Sequence, residues 1–382
     1  MKIALLLSGG VDSSTALWRL KDAGHLDITA YYLKIWLEDE LSYMGSCPWE
    51  EDLEYARAVC LQAGVPLNVV SLQLEYYERV VAYALEELRA GRTPSPDIFC
   101  NQRIKFGAFF EHFGESFDRL ATGHYARIEE SGGLSLLKRA PDPVKDQTYF
   151  LSHLSQEQVS RSMFPIGDMM KSEVRALAHA LELPNRDRKD SQGICFLGRI
   201  RYPEFIRHYL GERGGRIVEL ESRRVLGHHK GYWFHTVGQR SGLGLGNGPW
   251  YVVAKDTIEN VIYVSHELHA AERARKSFRI GRLNWIGRKP EPTESLYVKI
   301  RHGPELTRCA IRVPVPEAVA APVRGYASPD ARPVLDEADA GETLDVVMER
   351  PDRGVAPGQF AVLYSGDVCL GGGMILEDPC EY

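Results

Sequence analysis

Residues 2–15 read Lys-Ile-Ala-Leu-Leu-Leu-Ser-Gly-Gly-Val-Asp-Ser-Ser-Thr. Ile3 to Leu7 is a short, unbroken apolar run, which suits a strand buried on both faces. It stops at Ser8-Gly9-Gly10, and an apolar stripe through Leu17, Trp18 and Leu20 then follows at helical spacing. Ser13 or Ser14 is the expected N-cap, and Gly24 stands where a helix would stop. The unit is strand, glycine turn, helix. Adjacent glycines let a ligand approach the backbone, and the unpaired N–H groups of a helix start favour phosphate. Neither the Lys-Ser/Thr ending of a P-loop nor GxGxxG is present, and an ordinary Gly-Gly bend would use the same residues.

Working outward, Ile28 to Trp36 reads as a second strand, Glu50 to Ala63 as a helix ending at Gly64, and Leu67 to Leu72 as a third strand. Asp118 to Thr122 is a further strand, followed directly by Gly123-His124-Tyr125, and Leu134 to Arg139 is a hairpin arm. Strands alternating with helices predict a parallel sheet whose ligand sits at the carboxyl ends of the strands. In Thr93-Pro-Ser-Pro-Asp-Ile-Phe-Cys, Ser95 is the expected N-cap and Pro96 the first helical residue, so Asp97 and Cys100 share a face near a helix start. A helix N-terminus lowers a thiol pKa, although an ionised Asp97 opposes this, and a small buried cysteine beside an acid is the alternative. Lys145-Asp146-Gln147 precedes a helical region running to Leu183; it could bind phosphate or be a charged turn.

Tyr202 to Leu210 reads as a short helix, beyond which the texture changes to short strands at Arg216–Leu220, Arg223–Leu226, Trp250–Ala254 and Asn260–Val264. Six more follow at Ser277–Leu283, Ser295–Arg301, Thr307–Val313, Glu342–Met348, Gln359–Tyr364 and Asp367–Met374. The expected organisation is an α/β domain over 1–201, a small, mainly β domain over 202–274 and an antiparallel β-barrel over 275–382.

With 382 residues, 44% hydrophobic and 26% charged, the chain reads as a multidomain globular protein. No apolar run is long enough to span a bilayer and no cleavable leader is evident, so a cytoplasmic location without a membrane partner is expected. Seven cysteines, none spaced as CxxC, argue against a disulfide framework and a structural zinc site. Cys195 follows a turn glycine amid Arg186, Arg188, Lys189 and Arg199, cations that favour thiolate. The formal charge is −6, yet residues 186–240 hold twelve Lys/Arg against six Asp/Glu, a basic middle that could follow a phosphate backbone or be a solvated region.

The pattern SGGxDS resembles the pyrophosphate loop of N-type ATP pyrophosphatases. Together with PSPDIFCN, ATGHYAR, KDQTYFL, DSQGICFL, VGQR and APGQFAVLY, it makes nearly the whole chain similar to the bacterial and mitochondrial tRNA-specific 2-thiouridylases. The resemblance implies an ATP-pyrophosphatase-like domain, a small central domain and a C-terminal β-barrel. It also implies ATP-dependent 2-thiolation of a wobble uridine, with adenylation of the C2 oxygen, sulfur delivered from a cysteine persulfide, and AMP released. It casts Asp97 as acid/base, Cys195 as persulfide carrier and Cys100 as the thiol that forms a disulfide with it. Ser95, Pro96 and Asp97 line the target-base pocket. ATP lies on Leu6, Leu7, Ser8, Gly9, Gly10, Val11, Asp12 and Ser13, with Leu33 and Gly123 near the adenosine. His124, Lys145, Asp146, Gln147, Arg301, His302 and Gln359 match tRNA contacts. Mg²⁺ is expected on the ATP phosphates with no metal site built from protein alone, and a persulfide-donating carrier is the implied partner. Leu33 stands where methionine is frequent, and residues 37–51 depart from the common pattern. An amide synthetase of the pyrophosphatase family shares the loop without needing two reactive cysteines, and an RNA-binding module would use nucleotide only as a switch.

Overall fold

The computed structural model describes residues 1–35, 49–189, 202–270, 272–291, 293–314 and 341–376. Cys47, Cys195 and Cys380 lie outside the described residues, as do positions 37–48 of the stretch that departs from the common pattern.

The first domain carries β1 (Ile3–Leu6), β2 (Ile28–Lys34), β3 (Leu67–Ser71), β4 (Arg119–Ala121), the hairpin β5 (Ala126–Ser131) and β6 (Leu134–Arg139), and β7 (Ser162–Met163). Five of these form a parallel sheet in the order β3-β2-β1-β4-β7. The central strand β1 is buried along its length because its side chains alternate between two apolar layers. Ile3 and Leu5 join α1 (Val11–Asp22) and the Trp49–Ala63 helix, while Ala4 and Leu6 join the helical residues between Tyr76 and Phe109. A fully buried Leu contributes roughly 2 kcal/mol, so a strand with two such faces anchors the domain. The strand order reverses direction between β1 and β4, which opens the crevice where such sheets take ligands.

Two local expectations are corrected. The N-cap of α1 is Gly10; Ser13 and Ser14 lie inside the first turn and donate back to its carbonyl at 3.1 and 3.0 Å. Ser95 does occupy the cap position before Pro96, but its hydroxyl makes no cap bond. The expected helical region to Leu183 is also broken, into helices at Thr148–Leu151, Gln156–Ser160 and Lys171–Ala180 with β7 between them. A two-residue strand leaves no periodicity; it exists because Leu120 and Ala121 of β4 pair with Ser162 and Met163.

The middle domain contains β8 (Gly215–Glu219), β9 (Val225–His229), β10 (Trp250–Asp256) and β11 (Val261–His266), ordered β10-β11-β8-β9. The last domain contains β12 (Arg275–Trp285), β13 (Leu296–Lys299), β14 (Thr307–Arg312), β15 (Leu344–Asp352), β16 (Phe360–Ser365) and β17 (Val368–Ile375). These six run antiparallel in the order β12-β15-β14-β13-β16-β17, and pairing of β17 with β12 closes them into a barrel. Closure removes the edges an open sheet would expose. The β5–β6 hairpin of the first domain adds to the barrel outside β17, through Val368 opposite Lys138.

Candidate functional site

The glycine bend is held from three sides. Gly9 has φ +75°, and a Cβ there would lie 2.1 Å from the Asp52 carbonyl oxygen, so only glycine fits. Its carbonyl accepts from Asn185 Nδ2 at 2.7 Å and from Arg188 at 3.2 Å, and Arg188 also pairs with the Asp52 carboxylate. Ser8 N–H donates to Ser13 Oγ at 3.2 Å. Gly123 closes the crevice from β4, where a Cβ would meet Ser13 N at 2.7 Å. At Gly10, by contrast, a Cβ would meet nothing closer than the Ser8 hydroxyl at 3.4 Å, which leaves the backbone approachable. The N–H groups opening α1 beside that space fit a polyphosphate. Asp12 Oδ1 accepts from Lys171 Nζ at 2.7 Å and from the Tyr125 hydroxyl at 2.8 Å. Nothing in the sequence ties Lys171, Tyr125, Asn185 or Arg188 to the bend, because each reaches it from more than a hundred residues away.

A second site opens where the three domains meet. A cavity of ≈ 290 Å³ is lined by Ser95, Pro96 and Asp97, by Tyr149 and Phe150, by Trp233 and Phe234 of the middle domain, and by Arg301, His302 and Gln359 of the barrel. Main chain fastens its floor: Thr93 N–H donates to the Pro357 carbonyl at 2.8 Å, and Thr93 Oγ1 lies 3.4 Å from Thr236 Oγ1. Six of the sequence-expected residues, more than 260 positions apart at the extremes, thus line one cavity. The His302 ring stacks on Phe150 at 4.7 Å with an interplanar angle of 21°, and Arg301 forms a bidentate pair with Asp352 at 2.9 and 2.7 Å. The aromatic lining from Tyr149, Phe150, Trp233 and Phe234 was not anticipated; in sequence these residues look like ordinary core.

Other expected residues lie elsewhere. His124 is buried between Phe106 and Phe164, its Nδ1 2.7 Å from Thr122 Oγ1, and burial pushes its pKa well below the ordinary value. Asp146 is wholly buried. Burial alone would raise its carboxyl, but Lys299 at 2.8 Å, with hydrogen bonds from Thr148 and Arg139, holds it below the usual range. In this arrangement both side chains bond to protein neighbours. Lys145 and Gln147 beside them are partly exposed. Leu33 lies near the carboxyl end of β2, paired with Val70.

Cys100 is 3% exposed, in the apolar layer beneath the Pro96–Phe99 turn. Cys60, Cys309 and Cys369 are also buried, and burial pushes their thiols up to about 11, 12 and 12. These three are apolar filler.

Fold and site together define a nucleotide-binding α/β protein of the HUP class that carries two β-domains. Residues 1–199 match the family model described as a tRNA methyl transferase HUP domain, 203–266 the tRNA methyl transferase PRC-barrel domain, and 315–375 the aminomethyltransferase beta-barrel domain. The chain is 45% identical over 384 residues to the tRNA-specific 2-thiouridylase MnmA of Parabacteroides distasonis, covering 99% of each chain. It is 44% identical over 387 residues to the enzyme of the same name from Porphyromonas gingivalis, again covering 99% of each. The chain belongs to the tRNA-specific 2-thiouridylase family, tRNA sulfurtransferases of the ATP pyrophosphatase class. The model descriptions speak of methyl transfer and the relatives' names of thiolation; full-length identity decides for the latter. No helix among the described residues is long and apolar enough to cross a membrane.

Proposed function

We propose that this protein replaces the C2 oxygen of the wobble uridine of a tRNA with sulfur, at the expense of ATP. The observation that carries this reading is the cavity where Ser95-Pro96-Asp97 faces Arg301, His302 and Gln359. It has room for one everted pyrimidine between aromatic walls, with cations and amides at the rim for the backbone. A carbonyl oxygen leaves poorly, so C2 must first be activated. The C2 oxygen attacks the α-phosphorus of ATP bound on Leu6 to Ser13, and pyrophosphate departs. Asp97 accepts the uridine N3 proton as the oxygen becomes nucleophilic. The terminal sulfur of a persulfide on Cys195 then attacks C2. The Cys100 thiolate attacks Cys195 Sγ, the S–S bond breaks, and sulfur stays on C2 as AMP leaves with the oxygen. A Cys100–Cys195 disulfide remains for a thiol reductant to open. Cys100 must be uncovered for its step. Mg²⁺ on the phosphates would neutralise charge, with Asp12 at most a nearby participant.

Mass spectrometry of tRNA incubated with the protein, ATP and a persulfide donor tests this directly. One oxygen exchanged for sulfur at the anticodon-loop uridine is expected, and Cys195→Ser or Cys100→Ser abolishes it. Unchanged turnover in those variants would point to an amide synthetase instead. Absence of tRNA-dependent pyrophosphate release would point to a binding module.

A further inference from the structure

The 142–147 turn and the nucleotide bend are joined by two hydrogen-bonded routes that end on the same oxygen. On the first, Gln147 Oε1 accepts from the Tyr125 N–H at 2.9 Å, the Gln147 N–H donates to the Tyr125 carbonyl at 2.9 Å, and the Tyr125 hydroxyl donates to Asp12 Oδ1 at 2.8 Å. On the second, Asp142 Oδ1 accepts from the Val144 and Lys145 N–H groups, both at 3.1 Å. Its Oδ2 accepts from the Lys171 N–H at 3.1 Å, and Lys171 Nζ reaches Asp12 Oδ1 at 2.7 Å. Tyr125 is 2% exposed and Asp142 is buried, so both routes pass through a residue shielded from water, where hydrogen bonds to charged groups are strengthened. Because the Tyr125 N–H needs an acceptor, the Gln147 amide is turned with Nε2 outward, and that nitrogen takes no partner among the described residues. One end of the amide grips Tyr125; the other offers donors to a ligand.

We propose that Tyr125 is a positioning residue that carries the seating of RNA on the 142–147 turn to Asp12, making RNA and ATP bind cooperatively. This rests on the proposed function, with Gln147 taken as one of the RNA contacts that the sequence resemblance implies. Asp12 sits in the first turn of α1, among the N–H groups suited to phosphate, and a carboxylate there repels phosphate unless donors share its charge. Tyr125 and Lys171 are those donors. RNA that draws Gln147 outward moves the Tyr125 main chain with it. The rigid phenol transmits that shift to the oxygen it holds. RNA thereby biases the position of Asp12 that nucleotide also requires, which is what coupling between two sites demands.

Tyr125→Phe removes the hydroxyl and keeps the ring. Calorimetric titration with α,β-methylene-ATP, uncleavable at the reacting bond, is run with and without saturating substrate tRNA. In the unaltered protein tRNA tightens the analogue about tenfold, and the analogue tightens tRNA by the same factor. In Tyr125→Phe that ratio falls to about twofold or less. The ratio is the readout, so a general loss of affinity does not imitate it. Gln147→Glu, which keeps an acceptor for Tyr125 but loses the outward donors, lowers the ratio likewise. Equal ratios in the unaltered and variant proteins, or no tightening in the unaltered protein, overturn the inference. If the unaltered protein thiolates tRNA while giving either result, the proposed function stands and only the coupling fails; a protein that adds no sulfur to tRNA overturns both.

Discussion

Gly9 shows how much one residue can carry. Its left-handed φ costs a side-chain-bearing residue about 1–2 kcal/mol, and a Cβ would also press into the Asp52 carbonyl at 2.1 Å. Gly9→Ala is therefore expected to weaken ATP binding at least tenfold and to lower the urea midpoint of the first domain, checked by nucleotide titration and circular dichroism. The sequence made the bend legible, because an apolar run ends at adjacent glycines just before a helical stripe. Ser13 and Ser14 were misjudged for a local reason. Serine is favoured as an N-cap, yet α1 starts at Val11, where the glycine bend can turn without a side-chain cap, and the hydroxyls bond back to Gly10 instead.

At the scale of elements, the Lys145–Gln147 turn is fixed by a buried ion pair that reading along the chain could not reveal. Asp146 belongs to the first domain and Lys299 to β13 of the barrel, and both are wholly buried at 2.8 Å. Removing one partner strands a charge in a medium that cannot solvate it. Lys299→Met should lower stability by about 3–5 kcal/mol, and adding Asp146→Asn should recover part of the loss, read from urea denaturation of the three proteins. In sequence, Lys145-Asp146-Gln147 reads as a stretch that could bind phosphate and base edges or be only a charged turn. Its partner lies 153 residues on, and no short-range pattern couples the two. The same limit hid β7, whose two residues become a strand only because β4 lies beside them.

The whole molecule packs histidines into its interior, and this sets its response to acid. His153, wedged between Phe99 and Phe360, and His235 in the middle domain are both pushed down to about 4 by burial. Above an unfolded pKa near 6.5, folded and unfolded chains both hold neutral imidazoles and stability is flat. As pH falls from there toward 4, the unfolded chain takes up protons that the native state refuses. Stability then drops by up to about 3 kcal/mol per histidine. Urea midpoints measured from neutral pH to about pH 5 should fall steadily, and the fall should flatten in a His153→Gln, His235→Gln double variant.

By itself the sequence determined the strand–glycine–helix unit, the alternation that makes a parallel sheet and most strands of both β-domains, because burial on one or two faces leaves a periodicity in the chain. Resemblance to a known family, carried by its motifs, singled out Ser95, Pro96, Asp97, Arg301, His302 and Gln359. Only the tertiary structure joined these into a single cavity, placed Lys171 and Tyr125 on Asp12, and turned Asp146 inward. Those relations join residues far apart along the chain, and no local pattern encodes a distance that exists only after the three domains have closed upon one another.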